Sequence, residues 1–243
     1  MRALAIDTST DTPGVALCDG PNCVARTPLE AIALPAVPGA PAPMPGRHAE
    51  RLLGIIDAMM KQASWNRADL ELVACCIGPG SFTGVRVGVA TAKGIALGLG
   101  VPIVGVGSLE AMAYAHRARL FDAKEQDRAL VPLLDARKGE IFWAAYGADG
   151  ALIAGPGHLA AARVADLTGL VPRAKITFLG DIAARLMLNP ASIVAYPASD
   201  RPDPVEIARL AEAKLSERGP DDLDALEPAY VRPPDITLPA ASS

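Results

Sequence analysis

Aromatic side chains are scarce: Phe, Trp and Tyr make up 4% of the 243 residues, in a chain that is 51% apolar. The core must be filled by small and aliphatic groups, and 46 alanines and 22 glycines, together 28% of the chain, supply the small ones. An excess of either charge is also missing. Lys and Arg number 23 and Asp and Glu 27, for a net charge of −4, which excludes an acidic disordered tail and a polycation alike. Phosphate binding by charge alone needs clustered Lys and Arg, so a nucleic acid would need a partner's surface. The N-terminus turns polar at Asp7, too early for a signal peptide. The longest apolar stretch, Val85 to Val106, is interrupted by Arg86, Lys93 and Pro102 and does not read as a membrane span. The expected compartment is the cytoplasm. Cys18, Cys23, Cys75 and Cys76 form no C-x-x-C pair and have no His at zinc spacing, so they read as buried free thiols.

At about 150 residues per domain the length fits one large domain or two small lobes. Arg2–Asp7, Val15–Cys18 and Cys23–Thr27 read as an antiparallel meander separated by Thr-Asp-Thr-Pro-Gly and Asp-Gly-Pro-Asn turns. Pro28–Gly46 carries six prolines and reads as an irregular insertion. Helical periodicity follows over Arg47–Ala63, where Leu52, Leu53, Ile55, Ile56, Met59 and Met60 spread over too much of the helix for one neighbour. Leu72–Ile77 and Val101–Val106 read as strands flanking a helix over Gly84–Leu99, an α/β pattern with parallel pairs. After a helix over Ser108–Arg119, the strand Ala129–Asp135, a turn and the strand Glu140–Tyr146 repeat the opening arrangement, strand, aspartate, turn, strand. Lys175–Leu179 and Asp203–Arg218 read as one strand and one helix. The expected division is a lobe of residues 1–106 joined by 203–232, a second lobe of 107–202, and a frayed tail over 233–243.

The densest motif is GPGSFTGVRVGVATAKGIALGLG, Gly78–Gly100. It precedes a helix N-terminus, where free N–H groups could hold an anion, but it matches neither G-x-x-x-x-G-K-[ST] nor G-x-G-x-x-G. Gly84, Gly88, Ala92, Ala96 and Gly100 recur every four residues and draw a ridge of small residues down one side of the helix. Such a ridge admits close approach either of the chain's own sheet or of another subunit. Asp7 and Asp135 each end a strand, where a carboxylate could serve phosphate and metal or cap its own turn. His48, His116 and His158 form no i, i+4 pair, and Ser9, Ser81 and Ser108 lie in no G-x-S-x-G elbow. Hydrolytic chemistry has no positive support.

Taken in order, LAIDTST, RHAERLL, the Gly78–Gly100 run, LLDARKGEIFWAAY and EPAYVR resemble the bacterial TsaB (YeaZ) family over nearly the whole chain. The resemblance implies an α/β, actin-like ATPase (ASKHA) fold of two lobes with related topology. It implies a non-catalytic dimerisation subunit that pairs with the catalytic paralogue TsaD, is joined by the ATPase TsaE, can self-pair when free, and meets tRNA only through the complex. That complex places threonylcarbamoyl on the adenosine 3′ of the anticodon. The paralogue's His-Met-Glu-Gly-His metal segment would fall on Ser108–Met112, so Ser108 and Met112 replace both histidines and no metal site is expected. The family's cofactor aspartates would be Asp7 and Asp135, but Asp11 in the first turn would repel phosphate, so weak or no ATP binding is expected outside the complex. The partner surface would comprise His48, Arg51, Leu52, Ile55 and Met59 on the first helix. On the second it would comprise Gly84, Val85, Gly88, Ala92, Ile95 and Ala96. The competing expectation is an enzyme, an ATP-dependent actin-like phosphotransferase or a glycoprotease-like metallopeptidase.

Overall fold

A computed structural model describes residues 1–27, 48–117, 128–170, 175–186 and 201–232. Strands β1 (Arg2–Asp7), β2 (Gly14–Asp19) and β3 (Asn22–Arg26) form an antiparallel meander, with β4 (Leu72–Gly78) and β5 (Ile103–Gly107) parallel to β1. The order is β3-β2-β1-β4-β5. Parallel neighbours need crossovers, and helices α1 (His48–Gln62) and α2 (Phe82–Leu99) lie in them.

Strand alternation sorts side chains by size. In β1, Leu4 and Ile6 face the layer of α1 and α2, while Ala3 and Ala5 face α6 (Pro204–Arg218). On that second face Ala16 and Ala74 join them, and α6 answers with Ala208 and Ala211. Small groups on both sides let helix and sheet approach closely, and much of the alanine excess is used here. α6 starts cleanly: the Asp203 carboxylate accepts from Val205 N at 2.9 Å and Pro204 occupies the first turn.

The second sheet repeats the plan. β6 (Arg128–Arg137), β7 (Glu140–Gly147) and β8 (Leu152–Ala160) are antiparallel, and β9 (Lys175–Leu179) runs parallel to β6, in the order β8-β7-β6-β9. This is the order β3-β2-β1-β4 of the first sheet, so the architecture is actin-like, two α/β lobes of related topology. Helix α3 (Ser108–Arg117) is shared: Leu109 and Met112 pack with Leu130, Leu134 and Phe142, while Ala111 joins the core under α6. Among the described residues the second lobe also carries two short helices, α4 (Leu167–Leu170) and α5 (Asp181–Arg185).

Three sequence readings need amendment. β8 was not foreseen, because Gly155-Pro156-Gly157 lies inside it; proline is accommodated since β8 is an edge strand. Helix α2 starts at Phe82 rather than Gly84, with Ser81 Oγ accepting from Gly84 N at 3.2 Å. Cys23 is exposed on edge strand β3, whereas Cys18, Cys75 and Cys76 are buried free thiols, and burial pushes the Cys18 and Cys75 thiols up to about 12. The proline-rich Pro28–Gly46 stretch and the 233–243 tail lie outside the described residues. Among the described residues no helix is long and apolar enough to cross a membrane.

Candidate functional site: an inter-lobe cleft and a helical face

β1 and β6 carry aspartates at equivalent places, of which Asp135 lines the gap between the lobes and Asp7 does not. Asp7 is buried, and its Oδ1 accepts from Ser9 N at 2.9 Å. Asp135 accepts likewise from Arg137 N at 2.7 Å. Both carboxylates therefore fasten the turn that follows their own strand, the second of the two roles the sequence allowed. Burial raises the Asp7 pKa above the usual carboxylate range, partly countered by hydrogen bonds from Ser9 and Cys76 and by the charge of Arg201. Lys138 and Gly139 have φ of 55° and 75° in the β6–β7 hairpin turn. Just before them, Arg137 is paired with Asp11 of the opposite lobe and lies 3.7 Å from Asp135.

The cleft so framed has a volume of about 510 Å³. Arg137, Arg185, Arg201 and Arg232 line it with Asp11 and Asp135. A second cavity of about 270 Å³ adjoins it, sharing Gly80, Phe82, Phe142 and Arg232. Phe82 and Tyr230 line this second cavity; the guanidinium of Arg86 sits 3.7 Å from the centre of the Phe82 ring and 5.3 Å from that of Tyr230, and Arg86 Nε donates to Tyr230 Oη at 2.7 Å. The chain carrying Tyr230 is a strap between lobes. Ala229 N donates to Ile77 O at 2.7 Å in the first lobe, and Arg232 donates to Ala136 O at 2.8 Å and Glu140 Oε2 at 2.9 Å in the second.

A family model described as TsaD, tRNA N6-adenosine threonylcarbamoyltransferase, matches residues 40–189, more than half of the chain. The TsaB protein of Escherichia coli, named for tRNA threonylcarbamoyladenosine biosynthesis, is 34% identical over 61% of this chain and 56% of its own length. The chain thus spans little more than half of that relative. The Bacillus subtilis TsaB protein is 28% identical over 96% of this chain and 94% of its own. A Pseudomonas aeruginosa structure described as similar to peptidase YeaZ superposes with a TM-score of 0.70 at 25% identity, over 95% of this chain and 99% of that one. The chain belongs to the TsaB (YeaZ) branch of this family.

For a TsaB-family chain, the positions where the resemblance put two histidines in the catalytic paralogues are fully committed to structure. Ser108 Oγ donates to Pro79 O, and Met112 is buried in the core shared with the second lobe. A hydroxyl already in use and a buried thioether do not make a pair of imidazole ligands.

Six of the expected interface residues, Leu52, Met59, Val85, Gly88, Ala92 and Ala96, turn inward rather than outward. His48 and Arg51 lie in the first turn of α1. Leu52 and Met59 are buried and Ile55 packs against the first-lobe core. On α2, Val85, Gly88, Ala92 and Ala96 are buried and Ile95 packs on the same core. A Cβ at Gly84 would stand 2.1 Å from Thr8 O, and one at Gly88 would stand 2.1 Å from Thr8 Oγ1. The ridge is therefore the seat of β1 and its turn on α2, so Gly84, Gly88, Ala92 and Ala96 are taken up by the chain's own core. What α1 and α2 turn outward is different. Leu53 is 50% and Leu97 71% exposed, Ala58 and Ala90 are exposed, and Gly54, Gly94 and Gly98 have open space where a Cβ would point. A signal for this stripe existed: Ala90, Gly94 and Gly98 also recur every four residues, two positions out of phase with the inner ridge. A helix small on both sides cannot be oriented from spacing alone.

Proposed function

We propose that this chain is a non-catalytic scaffold subunit that pairs with a TsaD-like threonylcarbamoyltransferase for tRNA N6-threonylcarbamoyladenosine formation. The observation that carries the reading is the outward face of α1 and α2, with Leu53 and Leu97 in water and Gly54, Gly94 and Gly98 uncovered. Exposed leucines flanked by small residues on two adjacent helices suit packing against another helix pair, where close approach raises contact area. Ser108 and Met112 support a subunit without the transferase's metal chemistry. A TsaE-like ATPase joins the assembly in the cytoplasm, tRNA is met within it, and the free chain can self-pair through the same helices.

Neither ATP nor ADP is required by the isolated subunit on this reading. Its support is that Asp7 and Asp135 are engaged with their own turns, while Asp11 and Arg137 pair across the place a phosphate would need. Co-expression with the cell's TsaD-like protein, followed by affinity capture and size-exclusion chromatography, tests the pairing. Wild-type chain should elute as a complex, while Gly94→Trp and Leu97→Glu should elute apart from the partner with unchanged melting temperature. Normal pairing by both variants would overturn the assignment of this face.

A further inference from the structure

The overall charge of −4 conceals a local reversal. Of the described charged residues lining the cleft, four are arginines and two are aspartates, and with Glu140 paired to Arg232 the balance is +1. The arginines come from separate places, Arg137 from the β6–β7 turn, Arg185 from the end of α5, Arg201 from the approach to α6 and Arg232 from the strap. Chain segments distant in sequence have been folded to put guanidinium groups around one space, in a protein whose remaining surface must then be still more acidic than its average. Arg forks are matched to phosphate oxygens.

Directly beside them is a stacking surface. Phe82 and Tyr230 are 46% and 50% exposed, with ring centroids 5.6 Å apart and tilted by 44°. Arg86 braces the pair, its guanidinium lying over the Phe82 ring and its Nε donating to Tyr230 Oη. Aromatic side chains are 4% of the chain, so two exposed rings side by side are a concentrated use of a rare residue class. A preformed aromatic platform opening into an arginine-lined groove combines the two features that hold unstacked bases and their backbone.

We infer that this groove binds a segment of single-stranded RNA, with a base against Phe82 and Tyr230 and phosphates at Arg185 and Arg201, Arg137 and Arg232 keeping their partners Asp11 and Glu140. The inference rests on the proposed role in tRNA modification and adds to it a direct RNA contact by this subunit. A free mononucleotide fits less well, since the platform stands exposed at the groove mouth and the Asp11–Arg137 pair bridges the space between the two strand-end turns. An RNA strand crossing the mouth needs neither to break that pair nor to be enclosed.

Fluorescence anisotropy of a fluorescein-labelled, mixed-sequence oligoribonucleotide titrated with the full-length chain tests this, with magnesium ATP as competitor. Binding should weaken with salt, by a log–log slope of about −0.7 per phosphate contacted. Tyr230→Ala should weaken it about tenfold, within the range seen for loss of one stacked base, and Arg201→Glu should weaken it by a similar factor. Both variants should still co-purify with the TsaD-like protein. No binding by wild type, equal binding by both variants, or displacement of RNA by submillimolar ATP would each overturn the inference and leave the scaffold reading standing. Loss of partner capture by Tyr230→Ala or Arg201→Glu would overturn it in favour of a protein contact at the groove. Failure of the scaffold reading shows separately, in the wild-type pull-down.

Discussion

A side chain on Gly88 would have to displace Thr8, whose hydroxyl donates to Gly84 O at 2.7 Å and locks the β1 turn onto α2. Gly88→Leu is therefore expected to destabilise the fold by about 3 kcal/mol through overpacking, read as a lower midpoint in urea unfolding with little change in slope. A wild-type midpoint would mean that the turn can move aside. Asp7 behaves differently, because its burden is charge. Its folded pKa lies above the unfolded value because of desolvation, so the folded state binds the proton more tightly. This group favours folding at acid pH, and that contribution is lost as pH rises through the folded pKa. Asp7→Asn keeps an acceptor for Ser9 N and removes the buried charge. Its melting temperature should exceed wild type at neutral pH, with the gap narrowing as pH falls through the Asp7 pKa. A gap of the same size at all pH values would assign the effect to packing instead. Neither behaviour was readable from the sequence, where Asp7 was one of two aspartates before a turn and burial was unknown.

At the scale of elements, the strands that alternate and the helices that cap were legible: β1, β4, β5, α3 and α6 lie where periodicity and turn residues put them. Orientation was harder. Both sides of α2 are small, and the choice between Gly84-Gly88-Ala92-Ala96 and Ala90-Gly94-Gly98 is made by Val85 and Val89, which sink into the first-lobe core and take the first ridge inward with them. β8 was hidden because its centre carries Gly155-Pro156-Gly157, residues that signal a turn unless the strand is known to be an edge. The aromatic platform was hidden for another reason, since Phe82 and Tyr230 are 148 positions apart in sequence and meet only when the strap folds back along β4. The alanine layer under α6 makes its own prediction. Ala208 and Ala211 are buried against a sheet face of Ala3, Ala5 and Ala16, so Ala211→Leu should destabilise by about 2 kcal/mol. An equal substitution at exposed Ala90 should leave chemical unfolding unchanged, and a large effect there would contradict the outward orientation of that stripe.

For the whole molecule, the lobes are joined by α3, which contributes to both cores, and by the strap that ends at Arg232. Two electrostatic ties across the cleft differ in kind. The Arg137–Asp11 pair has both side chains more than 60% exposed, whereas Arg232 and Glu140 are 24% and 33% exposed and Arg232 also holds a backbone carbonyl. Exposed pairs are worth at most about 1 kcal/mol and are screened by salt, while hydrogen bonds to a charged group contribute about 1.5–3 kcal/mol. Arg232→Ala should therefore lower stability by about 2 kcal/mol at both low and high salt, and Asp11→Ala by less than about 1 kcal/mol, vanishing at high salt. Thermal unfolding across a salt series separates them. Equal, salt-sensitive losses would mean that both ties are surface pairs and that the lobes are free to move. The expected ranking instead makes the strap the structural tie, with backbone and charged hydrogen bonds into both lobes that hold them and the Phe82–Tyr230 pair in one arrangement.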